Sequence, residues 1–276
     1  MIRIFLALLL ITILSSPLHA EDKHYASTYD RVMDTKTLRC GYFNWAPHFV
    51  TDPLTGAKSG FVYDMVEALG KSLGLKIEWT MEYTIGTQIE ALKSGKIDAL
   101  CADGTWTRSA LPYLDYTDGY LFIVGYAYAL KDNKKITDFE SLNSPDITFT
   151  NIDGDGSAEY LEMYFPKAKV LSMPATTDSS MLGQNVITKK ADAVLNDPMS
   201  IEAYPKEDQE KLRLIGEDRP LAISPIFISL PKGQEKLLNM LNQGIGLMND
   251  VGIIDKVLDK HDPTGKKLLR PQRRYR

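Results

Sequence analysis

The chain has 276 residues, 44% of them apolar and 25% charged. At about 150 residues per domain this length suggests roughly two domains, and the balance excludes disorder, collagen and coiled coil as the main architecture. Basic residues number 32 and acidic residues 36, a net charge of −4; nucleic-acid binding normally needs a basic face, so this balance argues against it.

The amino terminus reads as a secretory signal peptide. Arg3 supplies a positive start, Ile4 to Leu14 is apolar apart from Thr12, Ser15-Ser16-Pro17 breaks the run, and Ala20 is a small residue at the cut. An uncleaved anchor is the alternative, but the run is far short of the ~20 residues that span a bilayer. No cysteine adjoins the cut, which argues against a lipid-anchored form. The mature chain is expected to be exported, with a net charge of about −5. An oxidising compartment permits one disulfide between the only two cysteines, Cys40 and Cys101; two buried thiols are the alternative. Neither has the nearby partner cysteine of a metal or redox motif.

Residues 21–36 lack periodicity and are expected to form a loose arm. Leu38–Tyr42 reads as a strand. Val62, Met65, Val66, Leu69 and Leu73 form a helical stripe over 61–73, closed by Gly74. A second strand is expected over 75–79, a helix opened by a capping box at Thr87-Gln88-Ile89-Glu90 and closed by Gly95, and a third strand over 97–102. The order strand–helix–strand–helix–strand implies a parallel sheet covered by helices. It repeats with strands over 146–150, 170–173 and 191–195 and helices over 156–164 and 179–188. Two extended stretches, 120–130 and 221–230, flank the second half, and helices over 235–247 and 253–261 return to the first. Such a chain crosses twice between two α/β lobes and leaves a cleft with a hinge at its base. The lobes are expected at 37–127 with 224–262 and at 128–223, followed by a tail at 263–276.

No nucleophile elbow, zincin or P-loop motif occurs. His24, His48 and His261 stand in unrelated contexts and read as surface or loop histidines; no metal or other cofactor is expected. Gly154-Asp155-Gly156-Ser157 precedes a helix and reads either as an anion seat or as a turn with a serine cap.

Several segments, taken in order, resemble the family 3 solute-binding proteins, the periplasmic receptors that feed ABC importers. They are Asn44-Trp45-Ala46-Pro47-His48-Phe49, Gly60-Phe61-Val62-Tyr63-Asp64, and Ala91-Leu92-Lys93-Ser94-Gly95-Lys96-Ile97-Asp98-Ala99. Further along come Asp115-Tyr116-Thr117-Asp118-Gly119-Tyr120, Ala191 to Asp197, and Leu230-Pro231-Lys232-Gly233. The resemblance covers about residues 37–262. It implies a periplasmic-binding-protein-like α/β fold of two parallel-sheet lobes joined by a two-strand hinge. It also implies capture of a small polar solute, an amino acid or amine-bearing compound, without catalysis. The partner is an ABC permease in the inner membrane, and the receptor acts as a monomer. An exported dehydratase- or lyase-like enzyme on the same fold, and a ligand sensor for a membrane signalling protein, are the alternatives.

The resemblance places an aromatic sandwich at Trp45 and Phe61, carboxylate-binding donors at Thr105, Gly156 and Ser157, and an ammonium-binding acid at Asp197. It departs from the family at the carboxylate clamp. The arginine expected five residues past the first threonine is Ala110, with Arg108 two residues early, and Asp103 stands where the family often has glycine. The acids gained at the cleft, Asp103, Asp153 and Asp155, shift the expected ligand toward a cationic or amine-rich solute. Six of the last eleven residues are basic, a local asymmetry. This tail is expected to be solvated or laid over an acidic surface, or to touch the permease or an anionic membrane.

Overall fold

The computed structural model describes residues 24–104, 107–217 and 219–272. The signal-peptide segment, Thr105 and the last four residues lie outside the described residues.

The first half of the chain builds α1 (Thr28–Thr35), β1 (Thr37–Tyr42), a small hairpin of β2 (Val50–Thr51) and β3 (Lys58–Ser59), α2 (Phe61–Leu73), β4 (Lys76–Glu82), α3 (Gln88–Lys93), β5 (Ala99–Gly104) and β6 (Leu114–Tyr116). The long strand β7 (Leu121–Leu130) then leads to β8 (Thr148–Ile152), α4 (Ser157–Tyr164), β9 (Lys169–Met173), α5 (Ser180–Ile187), β10 (Ala193–Asn196), α6 (Pro198–Glu202), α7 (Lys206–Gln209) and β11 (Leu212–Ile215). A second long strand, β12 (Ala222–Pro231), returns to α8 (Glu235–Asp250), α9 (Ile253–His261) and β13 (Leu268–Leu269).

The strands join in the order β4-β1-β5-β12-β7-β10-β8-β9. Each end of this sheet is parallel and wound alike: β4-β1-β5 in the first lobe, β9-β8-β10 in the second. The two long strands pair antiparallel across the waist, from Ala222 opposite Gly125 to Ile226 opposite Leu121. They carry the backbone hydrogen bonding from one lobe into the other, so two α/β lobes share one continuous sheet.

The first lobe's core packs α2, α8 and α9 on the sheet through Leu69, Leu237, Leu241 and Leu258, all buried. Cys40 and Cys101, both fully buried, are joined by a disulfide that ties β1 to β5 with a Cα separation of 5.4 Å. The second lobe centres on Phe149, Ala193 and Leu161.

Two local expectations are corrected, and the tail takes one of the arrangements expected of it. Part of the arm expected at 21–36 is helix: Ser27 caps α1 by accepting from the Asp30 N–H (3.1 Å), Val32 is buried, and Arg31 pairs with Asp98. Its single buried residue is too little to print a helical stripe on the sequence. The capping box at Thr87 does not form, because the Thr87 hydroxyl accepts instead from the Thr84 N–H (2.9 Å). The basic tail is a strap over its described part. Leu268 and Leu269 pair with Ile123 and Phe122 on the hinge strand, Lys267 reaches Glu202 of the second lobe (2.5 Å), and Arg270 pairs with Asp255 (2.9 Å) and Asp259 (2.6 Å).

Candidate functional site

In open parallel sheets ligands bind beyond the carboxyl ends of the strands, where the winding reverses. Both lobes turn those ends toward each other. The loop after β1, the end of β5, the turn after β8 and the end of β10 enclose a cavity of about 410 Å³. The hinge strands contribute Ile123, Gly125 and Ala222 to its lining.

The loop after β1 is held by a mutual pair of backbone hydrogen bonds between Trp45 and Phe49 (2.8 and 2.9 Å). Its His48 carbonyl accepts the Val62 N–H at the start of α2 (3.0 Å). That approach requires Gly60: with φ at +110°, a Cβ there would lie 2.2 Å from the His48 carbonyl oxygen. The Trp45 ring consequently lies flat on the His48 ring, with centroids 3.9 Å apart and planes 5° from parallel, and Trp45 lines the cavity. His48 in turn meets Phe61 edge-on at 4.8 Å.

This stack corrects the expected sandwich. The protein's own imidazole stands between Trp45 and Phe61, and Phe61 is fully buried behind it, away from the cavity. His48 lies on a loop, one of the two places expected for it, but it is completely buried rather than at the surface.

Asp197 lines the cavity from the second lobe and is buried. It is the N-cap of α6: Oδ1 accepts from the Met199 and Ser200 N–H groups (2.9 and 3.0 Å), and Oδ2 accepts from the Ser200 hydroxyl (2.6 Å). His48 Nε2 lies 3.3 Å from Oδ2, a contact between lobes that is too poorly aligned to count as a hydrogen bond. Burial alone would push the Asp197 carboxyl up; the His48 imidazole and the hydrogen bonds from Ser200 outweigh it, and the net effect is a value below the ordinary one. The expected ammonium-binding acid is therefore already engaged within the protein.

The remaining expected residues divide. Gly156 and Ser157 line the cavity, but the Ser157 N–H donates to Asp155 Oδ1 (2.8 Å), and its hydroxyl lies within reach of Asp155 and of Asn151 Oδ1 (2.6 Å). Arg108 does not line the cavity. It is 64% exposed on the rim, where it spans the lobes to Glu159 (3.2 Å) and Glu162 (3.4 Å) of α4. Ala110, at the position of the expected clamp, is buried with Tyr83, Leu92 and Leu114. Asp103 pairs with Phe227 in the sheet; its side chain and all of Thr105 lie outside the described residues.

Residues that the sequence alone did not single out complete the lining. Phe43, Asn44 and Tyr83 belong to the first lobe, and Tyr160, Asp178 and Tyr204 to the second. Asn44 is set by accepting the Thr51 N–H (2.8 Å). Tyr204 Oη receives the Gly183 N–H (3.2 Å), and burial pushes its phenol up. Asn44 stands inside a segment of the family pattern and could have been found there; the tyrosines carry no local signal. Among the described residues no cluster of three or more metal-ligating side chains occurs, and no helix is long and apolar enough to cross a membrane.

A cleft between two α/β lobes on a continuous two-strand hinge defines a two-lobed ligand-binding protein. Residues 38–263 match the model of the bacterial extracellular solute-binding proteins, family 3, and the chain belongs to that family. It is 26% identical over 212 residues to the ABC transporter glutamine-binding protein GlnH of Bacillus subtilis (strain 168), covering 76% of this chain and 74% of that one. Among solved structures it resembles the ancestral amino acid-binding protein AncCDT-1, a precursor of cyclohexadienyl dehydratase. The TM-score is 0.70 at 30% identity, over 85% of this chain and 99% of that one. It also resembles an ancestral arginine-binding protein bound to arginine, with a TM-score of 0.68 at 27% identity over 82% and 97% of the two chains.

Proposed function

We propose that this protein is a monomeric periplasmic receptor that captures a small polar solute, an amino acid or an amine-bearing compound, and delivers it to an ABC permease of the inner membrane. The observation that carries the reading is the 410 Å³ cavity lined from both lobes, with the hinge strands at its base. A solute that touches both walls binds the closed form more tightly than the open one and shifts the population toward it. The named relatives support the amino-acid or amine class: a glutamine-binding protein of an ABC transporter and an ancestral arginine-binding protein.

The test is calorimetry and thermal shift of the mature protein against amino acids, amines and small carboxylates. A ligand at 100 times its Kd is expected to add about 2.7 kcal/mol of stability. Loss of uptake of that ligand on deletion of the gene identifies the transport role. Intact uptake with a lost transcriptional response would assign the protein to a membrane sensor. The kinship with a dehydratase precursor favours one enzymatic test, incubation with prephenate; turnover, with no ligand binding in the panel, would overturn the receptor reading.

A further inference from the structure

We propose that the cleft selects an organic cation without a carboxylate, an alkyl amine, diamine or guanidine, and that Asp155 is the residue that excludes the α-amino acid. The inference rests on the receptor reading and names the ligand class of the same cleft.

An α-amino acid brings a carboxylate, which needs a base or a set of free N–H donors to replace its water. Among the described residues that line the cavity there is no lysine, arginine or histidine. The two residues between Gly104 and Thr107 are threonine and tryptophan, so the sequence conceals no base there. The places where an anion could sit are filled by the protein's own carboxylates. At the start of α4, Asp155 takes the Ser157 N–H and lies against its hydroxyl. Arg108, next in sequence to the lining residue Thr107, is drawn off to Glu159 and Glu162 on the rim.

What the cavity offers instead is negative charge. Among the described residues three carboxylates line it: Asp155, Asp178 and Asp197. Asp197 is consumed by the cap of α6 and by His48. Asp155 and Asp178 each accept only from neighbours in their own turns, Ser157 and Ser180, and neither has a basic partner among the described residues. Both belong to the second lobe. The facing lining of the first lobe carries no charge among the described residues and includes the rings of Phe43, Trp45 and Tyr83. Carboxylates on one wall and ring faces on the other form a receptacle for a cation: the first attract it, and the second hold it by cation–π contact as closure excludes water. A ligand carboxylate in the same space meets like charge and no counter-ion.

The test uses matched pairs that differ only by the carboxyl group: agmatine against arginine, putrescine against ornithine, cadaverine against lysine, histamine against histidine. Calorimetry on the full mature chain is expected to find at least one amine bound tenfold or more tighter than its amino acid. Asp155→Ala opens the seat on Ser157 and is expected to move that ratio at least tenfold toward the amino acid. Asp155→Asn keeps a side-chain acceptor and removes the charge, and is expected to weaken the amine in the same direction even if the alanine variant fails to fold. Equal or tighter binding of the amino acids, or ratios unmoved in both variants, overturns the proposal and leaves the receptor reading standing. Silence of both series also overturns it, and silence across the wider panel of the preceding section overturns the receptor reading as well.

Discussion

On the first lobe's side of the cleft, rings pack on rings: Trp45 on His48, His48 on Phe61, with the disulfide of Cys40 and Cys101 tying the strands behind. On the second lobe's side, short helices begin at turns whose carboxylates take the helices' first N–H groups, Asp155 at α4 and Asp197 at α6. The first wall takes its shape from close packing, and the second from hydrogen bonds that a ligand group could compete for. Among the described residues they meet at a buried contact, that of His48 with Asp197. A cleft built this way has one stiff face and one chemically selective face, and each can be attacked separately.

The largest effect is expected at the meeting point. His48→Ala removes a fully buried ring from between Trp45 and Phe61 and leaves Asp197 with the α6 cap alone; truncating a large buried ring costs about 3–5 kcal/mol. Urea unfolding checks it, and a loss too small to measure would show that the stack does not carry the wall. The acid limb sharpens the same point. Asp197 titrates below its ordinary value in the folded protein, so its stabilisation is complete above about pH 4 and is lost as the pH falls through the lowered folded value. Asp197→Asn is expected to flatten that part of the stability profile. Its effect on ligand affinity should be smaller than its effect on stability, since the carboxylate is spent within the protein.

Next comes the staple. The two cysteines are 61 residues apart, and closing a loop of that length is worth about 4 kcal/mol in the chain-entropy account. Reduction, or Cys40→Ser with Cys101→Ser, is expected to lower the melting of the first lobe. Equal transitions with and without reductant would remove the staple from the comparison. A smaller effect follows from deleting residues 266–276, which exposes the ground under buried Leu268 and breaks Lys267–Glu202. Burying one leucine is worth about 1.5–3 kcal/mol, and ligand affinity should hold, because no described residue of the strap lines the cavity. The smallest belongs to Arg108→Ala. Its pairs lie on an exposed rim, and such pairs contribute about 0–1 kcal/mol; a few-fold change in affinity that fades in high salt is expected.

The alternation of strands and helices was legible because each element buries a periodic face, as α2 does with Val62, Met65, Val66 and Leu69. The hinge strands were legible as two long apolar stretches, and Trp45, Gly156, Ser157 and Asp197 were placed at the cleft from the family pattern. What escaped depends on meetings between lobes. His48 looks like a loop histidine until Asp197, on the other lobe, is brought against it. Arg108 looks like a ligand clamp until Glu159 and Glu162 appear across the rim. No local pattern records such pairs. Phe61 escaped for a different reason: its position in the motif is kept, but a ring from the same loop as Trp45 fills the space the ligand was expected to occupy.

The place of β12 in the sheet sets an order of completion. It lies between β5 and β7, yet it follows every strand of the second lobe in the chain. The helices that cover α2, α8 and α9, come later still. As the chain emerges from its amino terminus, the second lobe has all its strands and helices once Ile215 is out, because its elements from β7 to β11 are contiguous. The first lobe, begun earlier, holds β4, β1 and β5 with an unpaired edge and an uncovered apolar helix until its last third arrives, the kind of edge that invites wrong pairing. The lobe that starts first finishes last, and a chain stopped between Ile215 and Ala222 carries one whole lobe and one open sheet.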